Sequence, residues 1–164
     1  MRLKRLILTL LGILALVLGS LLTAGPAQAA APADHRAAGP ALTAPPAPAG
    51  IGPAFAPAAV PPTISPAVTT THVAPGGSYT CAYGNFCALA WDPTTASWKV
   101  FYLYNCARYA LANWNGGGAY WNNQTPSARS TFYGSSGNVL KGPFAPGGGQ
   151  QNYDWTLVWS IRNC

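Results

Sequence analysis

The sequence predicts a small all-β fold, a sandwich or open barrel of short strands, stapled by disulfides and confined to residues 77–164. Three observations carry this. All four cysteines and all six tryptophans lie beyond Gly77. From Ser78 onward apolar residues recur with a period near two, and the punctuation is glycine, asparagine and proline, the pattern of half-buried strands joined by turns. The residues before that point have the composition of a leader and a tether rather than of a core. A folded part this short buries only about 60–65% of its unfolded surface, so covalent staples matter to it.

Residues 1–29 have the order of a secretory signal peptide. Arg2, Lys4 and Arg5 form a positive start, an apolar run follows over 6–17 and continues to Leu22, and Gly25-Pro26 breaks any helix. Ala27-Gln28-Ala29 then matches a small-x-small cleavage site. The rival is an uncleaved anchor, since 6–22 is nearly long enough to span hydrocarbon. The helix breaker and the cleavage pattern favour removal. The expectation is therefore a secreted chain with no membrane attachment after cleavage. Of the formal charge of +6, three units belong to this leader. The other bases, Arg36, Lys99, Arg108, Arg129, Lys141 and Arg162, stand singly, and the only acids are Asp34, Asp92 and Asp154. A nucleic-acid surface needs clustered cations, each contributing through counterion release. No cluster exists along the chain, so no nucleic-acid partner is expected.

Residues 30–76 carry eleven of the sixteen prolines, set among alanines as in Ala44-Pro45-Pro46-Ala47-Pro48, with Phe55 the lone aromatic ring apart from His72 and His35. Each proline removes an amide donor and biases its predecessor away from the helical region. The stretch is predicted to be a disordered, semi-stiff linker.

Within 77–164 the expected strands are 86–91, ended by Asp92-Pro93; 98–104, dense in aromatic and β-branched residues; 119–121, after the flexible Asn115-Gly116-Gly117-Gly118; and 128–133 with 138–141, flanking a hairpin turn at 134–137. Gly147-Gly148-Gly149 marks a loop before the last strand, 155–162. There Trp155, Leu157, Trp159 and Ile161 should face the core and Thr156, Val158, Ser160 and Arg162 the solvent. Cys106 to Trp114 is equally compatible with a turn or two of helix, because Ala107, Leu111 and Trp114 fall at helical spacing. Ring-rich segments exceed what one interior can hold, so Phe101 or Trp114 is a candidate for an exposed platform beside amides.

Export makes disulfides the default for Cys81, Cys87, Cys106 and Cys164. Three pairings are open; Cys81–Cys87 with Cys106–Cys164 is favoured, closing one small and one large loop. The spacing lacks the close cysteine pair of a zinc site. Catalytic chemistry is short of parts. The predicted domain has no histidine and no glutamate, and its two carboxylates, Asp92 and Asp154, sit where turn formers sit. Neither a P-loop nor a dinucleotide fingerprint nor an EF-hand loop is present, so no cofactor and no enzyme activity are expected. A loop held between cysteines is rigid and is ordered before binding. The binding-loop candidates are Tyr83, Gly84, Asn85 and Phe86.

The run CAYGNFCALAWD, the central YLYNC, the NWNGGGAYWNNQT stretch and the closing WSIRNC together resemble the secreted actinobacterial peptidase inhibitors grouped as family I36, over about residues 79–164. The resemblance implies a Greek-key sandwich similar to one βγ-crystallin domain and inhibition of secreted metallopeptidases of the thermolysin type. βγ-Crystallin-like domains also bind calcium through a stretch that Asn122, Asn123 and Ser127 match here, but Pro126 replaces a hydroxyl residue and no carboxylate is at hand. Weak or absent calcium binding is the expectation. The functional expectation is a proteinase-inhibitor-like binding protein for an extracellular proteinase; the alternative is a cell-wall or glycan-binding module displayed on the spacer.

Overall fold

The computed structural model describes residues 39–49 and 59–164; the predicted leader at 1–29, and His35, Phe55 and the rest of 30–38 and 50–58, lie outside the described residues. Twelve strands and no helix occur among the described residues. They are β1 (Ala41–Thr43), β2 (Thr63–Ser65), β3 (Thr69–Val73), β4 (Ser78–Thr80), β5 (Asn85–Asp92), β6 (Ser97–Leu103), β7 (Ala107–Ala112), β8 (Gly117–Asn123), β9 (Ser130–Tyr133), β10 (Val139–Phe144), β11 (Gln151–Asp154) and β12 (Ser160–Asn163).

All pairing is antiparallel. A central sheet runs β11-β8-β5-β6-β3, an outer sheet β10-β9-β12-β7-β2, and β1 with β4 forms a separate ribbon. The connectivity is that of two Greek keys. In β5–β8 the fourth strand returns beside the first, as it does in β9–β12, and each unit lends its third strand to the other sheet. The Greek-key sandwich expected from the sequence is the observed architecture, with both expected disulfides, Cys81–Cys87 and Cys106–Cys164.

The two sheets close on an aromatic interior. Phe86 stacks on Tyr120 at 5.6 Å between ring centroids, Phe132 meets Phe86 edge-on at 5.9 Å, and Trp155 lies 5.3 Å from Phe132. Trp91 Nε1 and Trp121 Nε1 are buried without a hydrogen-bond partner, but other buried indole donors are satisfied. Trp155 Nε1 donates to the Leu89 carbonyl and Trp114 Nε1 to the Thr63 carbonyl, each at 2.8 Å. Phe101 and Trp114 are both buried with centroids 4.5 Å apart, so neither is the exposed platform anticipated for them.

The tether expectation is corrected by the same packing. Residues from the predicted linker supply β1, β2 and β3: β3 extends the central sheet beside β6 and β2 extends the outer sheet beside β7. The ribbon covers the far face of the central sheet, where Leu42, Ala44 and Tyr79 pack against Leu89, Trp91, Trp98 and Val100. Trp98 Nε1 donates to the Pro45 carbonyl at 2.8 Å. Proline density there removes donors but leaves carbonyls, and a strap laid over a finished sheet needs only acceptors and apolar surface.

Two local expectations also change. Residues 107–112 form a strand, not helical turns, with Tyr109 and Leu111 buried and Arg108, Ala110 and Ala112 exposed; pairing on both sides, with β12 and β2, decides it. The final segment is not one strand. Asp154 Oδ1 accepts from both the amide and the hydroxyl of Thr156, and the Val158 amide donates to the Trp155 carbonyl at 2.8 Å. That turn resets the alternation. Trp155, Val158 and Ile161 are buried, whereas Leu157 and Trp159 are 69% and 60% exposed.

Gly118 marks the tightest approach in the sandwich, since a Cβ there would overlap the Leu89 carbonyl oxygen and Trp155 Nε1, the two ends of one hydrogen bond. Gly118→Ala should lower unfolding free energy by about 2–4 kcal/mol, read as a reduced urea midpoint at unchanged slope.

Candidate functional site

Both disulfides act at one end of the sandwich. Cys81–Cys87 ties the segment after β4 to the start of β5, and Cys106–Cys164 ties the start of β7 to the end of β12. The end of β6 arrives there opposite Phe86, and the end of β8 opposite Asn85. Between the loops these strands carry lies a groove of about 500 Å³, bordered by Tyr83, Tyr104, Asn105, Gln124, Thr125 and Ser127, with Gly84, Cys106, Ala128, Asn163 and Cys164 completing it. No lysine, arginine, histidine, aspartate or glutamate lines it.

The loop inside the small disulfide is held by more than its cystine. The Asn85 amide and its side-chain Nδ2 both donate to the Ala82 carbonyl, at 3.2 and 3.1 Å. The Gly84 amide donates to the Asn123 carbonyl, and Asn123 Nδ2 returns a bond to the Cys81 carbonyl, both at 2.8 Å. Gly84 has φ +91°, and a Cβ on it would stand 3.2 Å from the Tyr104 ring, so glycine lets that ring lie against the loop. Tyr83 and Tyr104 are 48% and 61% exposed. Of the predicted binding loop, then, Tyr83 is presented and Gly84 seats its neighbour. Asn85 works as an internal brace. Phe86 is fully buried in the aromatic interior and is corrected to a core residue.

Beneath the groove is a buried layer of amides. Asn122 Nδ2 donates to Ser130 Oγ at 3.2 Å, the Ser130 hydroxyl faces Gln124 Oε1 at 3.3 Å, and Asn163 Nδ2 donates to the Leu103 carbonyl at 3.0 Å. Satisfied networks of this kind fix one arrangement of the loops above them. They also settle where the calcium candidates go. Asn122 belongs to this layer, Asn123 holds the disulfide loop, and Ser127 is exposed at the groove edge. The Nδ2 groups of Asn122 and Asn123 are thus engaged in separate hydrogen bonds. Among the described residues no cluster of three or more histidine, cysteine or carboxylate side chains occurs.

Sequence reasoning missed Tyr104, Asn105 and Gln124 as groove residues, because strand 98–104 was read only for its core pattern. The one available signal was a tyrosine and an asparagine directly before Cys106. It also placed His72 in the tether. His72 stands on β3, and its Nε2 lies 3.0 Å from Asp92 Oδ2. Asp92 Oδ1 in addition accepts from the amide and hydroxyl of Thr94, the turn role expected of it. This pair is not among the residues lining the groove.

Comparison with protein-family models, with curated proteins and with solved structures finds no match to this chain. No helix among the described residues is long and apolar enough to cross a membrane.

Two outcomes follow from this geometry. By loop closure the disulfides contribute about 2–2.5 and about 4 kcal/mol, against a usual total of about 5–15 kcal/mol. Thermal scans in excess reductant should therefore lose their cooperative transition. Burial pushes the Asp92 carboxyl up, but the Thr94 hydroxyl, His72 and the Thr94 amide outweigh it and hold it below its ordinary value of 3.8. A carboxyl depressed in the folded state stabilises fully above 3.8 and loses that contribution as pH falls through its lowered value. Urea midpoints between pH 5 and pH 2 should thus fall less steeply in Asp92→Asn than in the parent.

Proposed function

We propose that this chain is a secreted, proteinase-inhibitor-like binding protein that meets an extracellular peptidase with its doubly clamped end. The observation that carries this is one groove lined by the Cys106–Cys164 disulfide and by Tyr83 and Gly84 of the loop that Cys81–Cys87 closes, displaying two exposed tyrosines on braced backbone. Recognition surfaces that are rigid before contact lose less conformational freedom on binding. Tyrosine supplies large contact area with few rotatable bonds. The leader-like residues 1–29 and the two disulfides support an extracellular setting. The sequence resemblance and the Greek-key arrangement support the inhibitor class, though fold likeness alone transfers less than a site does.

A second reading has its own support. Two tyrosines bordering amides and hydroxyls, without charged side chains, is the composition of a neutral glycan site. In that case the same end binds cell-wall polysaccharide.

Titration of thermolysin-, subtilisin- and trypsin-type peptidases with the exported chain decides between them. Stoichiometric inhibition of one class at micromolar concentration is expected, weakened roughly tenfold or more by Tyr83→Ala or Tyr104→Ala, the effect of truncating an interface anchor. Co-sedimentation with chitin or peptidoglycan that depends on those tyrosines, without inhibition, selects the glycan reading instead.

A further inference from the structure

The basic residues that stand singly along the chain do not stand singly in the fold. Arg108 on β7 and Arg162 on β12 are direct cross-strand partners, and Arg162 is opposite Thr131 on β9. All three arginines Arg108, Arg129 and Arg162 are exposed. Arg129 and Arg162 border a groove of about 320 Å³ on the solvent face of the outer sheet, with Thr131, Tyr133, Val139, Pro143 and Cys164, the last of which also lines the clamped groove. Like charges placed directly opposite in an antiparallel pair repel. No aspartate among the described residues is paired with these arginines. Asp34 lies outside the described residues, Asp92 is held by His72 and Thr94, and Asp154 by Thr156. Lys141 faces elsewhere, its Nζ over the rings of Tyr120 and Tyr153.

The guanidinium groups are also placed rather than loose. Arg108 lies over the Tyr133 ring with Cζ 4.0 Å from the centroid, and its Nε donates to Ser160 Oγ at 3.0 Å. Arg129 Nη1 donates to the carbonyls of Pro126 and Ala128 at 2.9 and 2.8 Å. Stacking and a bond through one nitrogen orient such a group while leaving other donors for a planar anion.

We propose that this arginine-bearing sheet face binds a carboxylate-bearing polysaccharide, independently of the clamped groove. The charge calls for an anion, and the fold restricts which. β9 and β12 are paired on both edges, so an acidic peptide finds no free main-chain groups and cannot add a strand here. Single-stranded nucleic acid needs unoccupied rings for its bases, and the ring on this face, Tyr133, is covered by Arg108. A uronate polymer asks only for spaced cations, which the exposed Arg108, Arg129 and Arg162 supply.

The test uses the full exported chain and affinity electrophoresis in gels containing polygalacturonate, neutral dextran, polyglutamate or a single-stranded oligonucleotide. Retardation by polygalacturonate and not by dextran is expected. Arg129→Gln and Arg162→Gln should each weaken it about tenfold, as loss of one charged hydrogen bond does. Each should also reduce the dependence on log salt by about one unit, as loss of one counterion-releasing contact does. Arg162→Gln should leave the thermal midpoint equal or higher, since it relieves the repulsion with Arg108, and Tyr83→Ala should leave retardation unchanged. Equal retardation in dextran, an Arg129→Gln/Arg162→Gln double variant that binds like the parent, or tighter binding to polyglutamate or the oligonucleotide would overturn the proposal.

Discussion

The burial of the central sheet on both faces is the constraint from which the rest of this structure follows. Strand β5 lies in the middle of that sheet, and all but its first residue are buried. One face of it meets the outer sheet through Phe86, Ala88 and Ala90, and the other meets the ribbon through Leu89 and Trp91. A strand in that position cannot alternate apolar with polar residues. It reads as a nearly unbroken apolar run, which is how Asn85-Phe86-Cys87-Ala88-Leu89-Ala90-Trp91 reads. A second cover is then obligatory, because an open face carrying Trp91, Trp98 and Val100 would be an exposed apolar patch. The proline-rich strap is that cover.

The strap shows how a segment poor in hydrogen-bond donors can still be ordered. Its contacts are made largely by backbone groups and by the apolar side chains of Leu42 and Ala44. Thr43 and Pro45 carbonyls accept from Gln150 Nε2 and Trp98 Nε1, and Ala44 is buried beneath Gly76 and Gly77, to which its backbone bonds. Tyr79, buried in the ribbon, donates to Gln150 Oε1 and so links β4 to the loop before β11. Alanine and proline lose little side-chain entropy on ordering. Composition therefore argues against a core built from this stretch, but not against its use as a lining for a core built elsewhere.

At the clamped end the division of labour is between staples and amides. The disulfides limit how far the loops can separate, while Asn122, Asn123, Gln124, Ser130 and Asn163 determine how they sit. The aromatic interior stops short of this end, so a polar layer takes over the task of holding four loops at once, at the cost of needing every member satisfied. The result is a rigid groove without charged side chains at one end and a cationic sheet face beside it. These are two surfaces of different chemistry on one small scaffold.

Much of the fold was legible in the order of residues. Apolar and aromatic runs between turn residues placed β5, β6, β8, β9 and β10, Gly134 to Gly137 placed the hairpin turn, and cysteine spacing with a leader-like start pointed to the two disulfides. Those signals are local: they depend on neighbours along the chain or on one loop closure. Partnership between distant strands left no such mark. Arg108 and Arg162 are 54 residues apart and become neighbours only through the β7–β12 register; Tyr83 and Tyr104 share a groove only because β5 and β6 end together. His72 and the strap join the sheets through surfaces that other segments create. Periodicity states which side of a strand is apolar, but antiparallel pairing decides what stands beside it, and that choice is made by the whole chain at once.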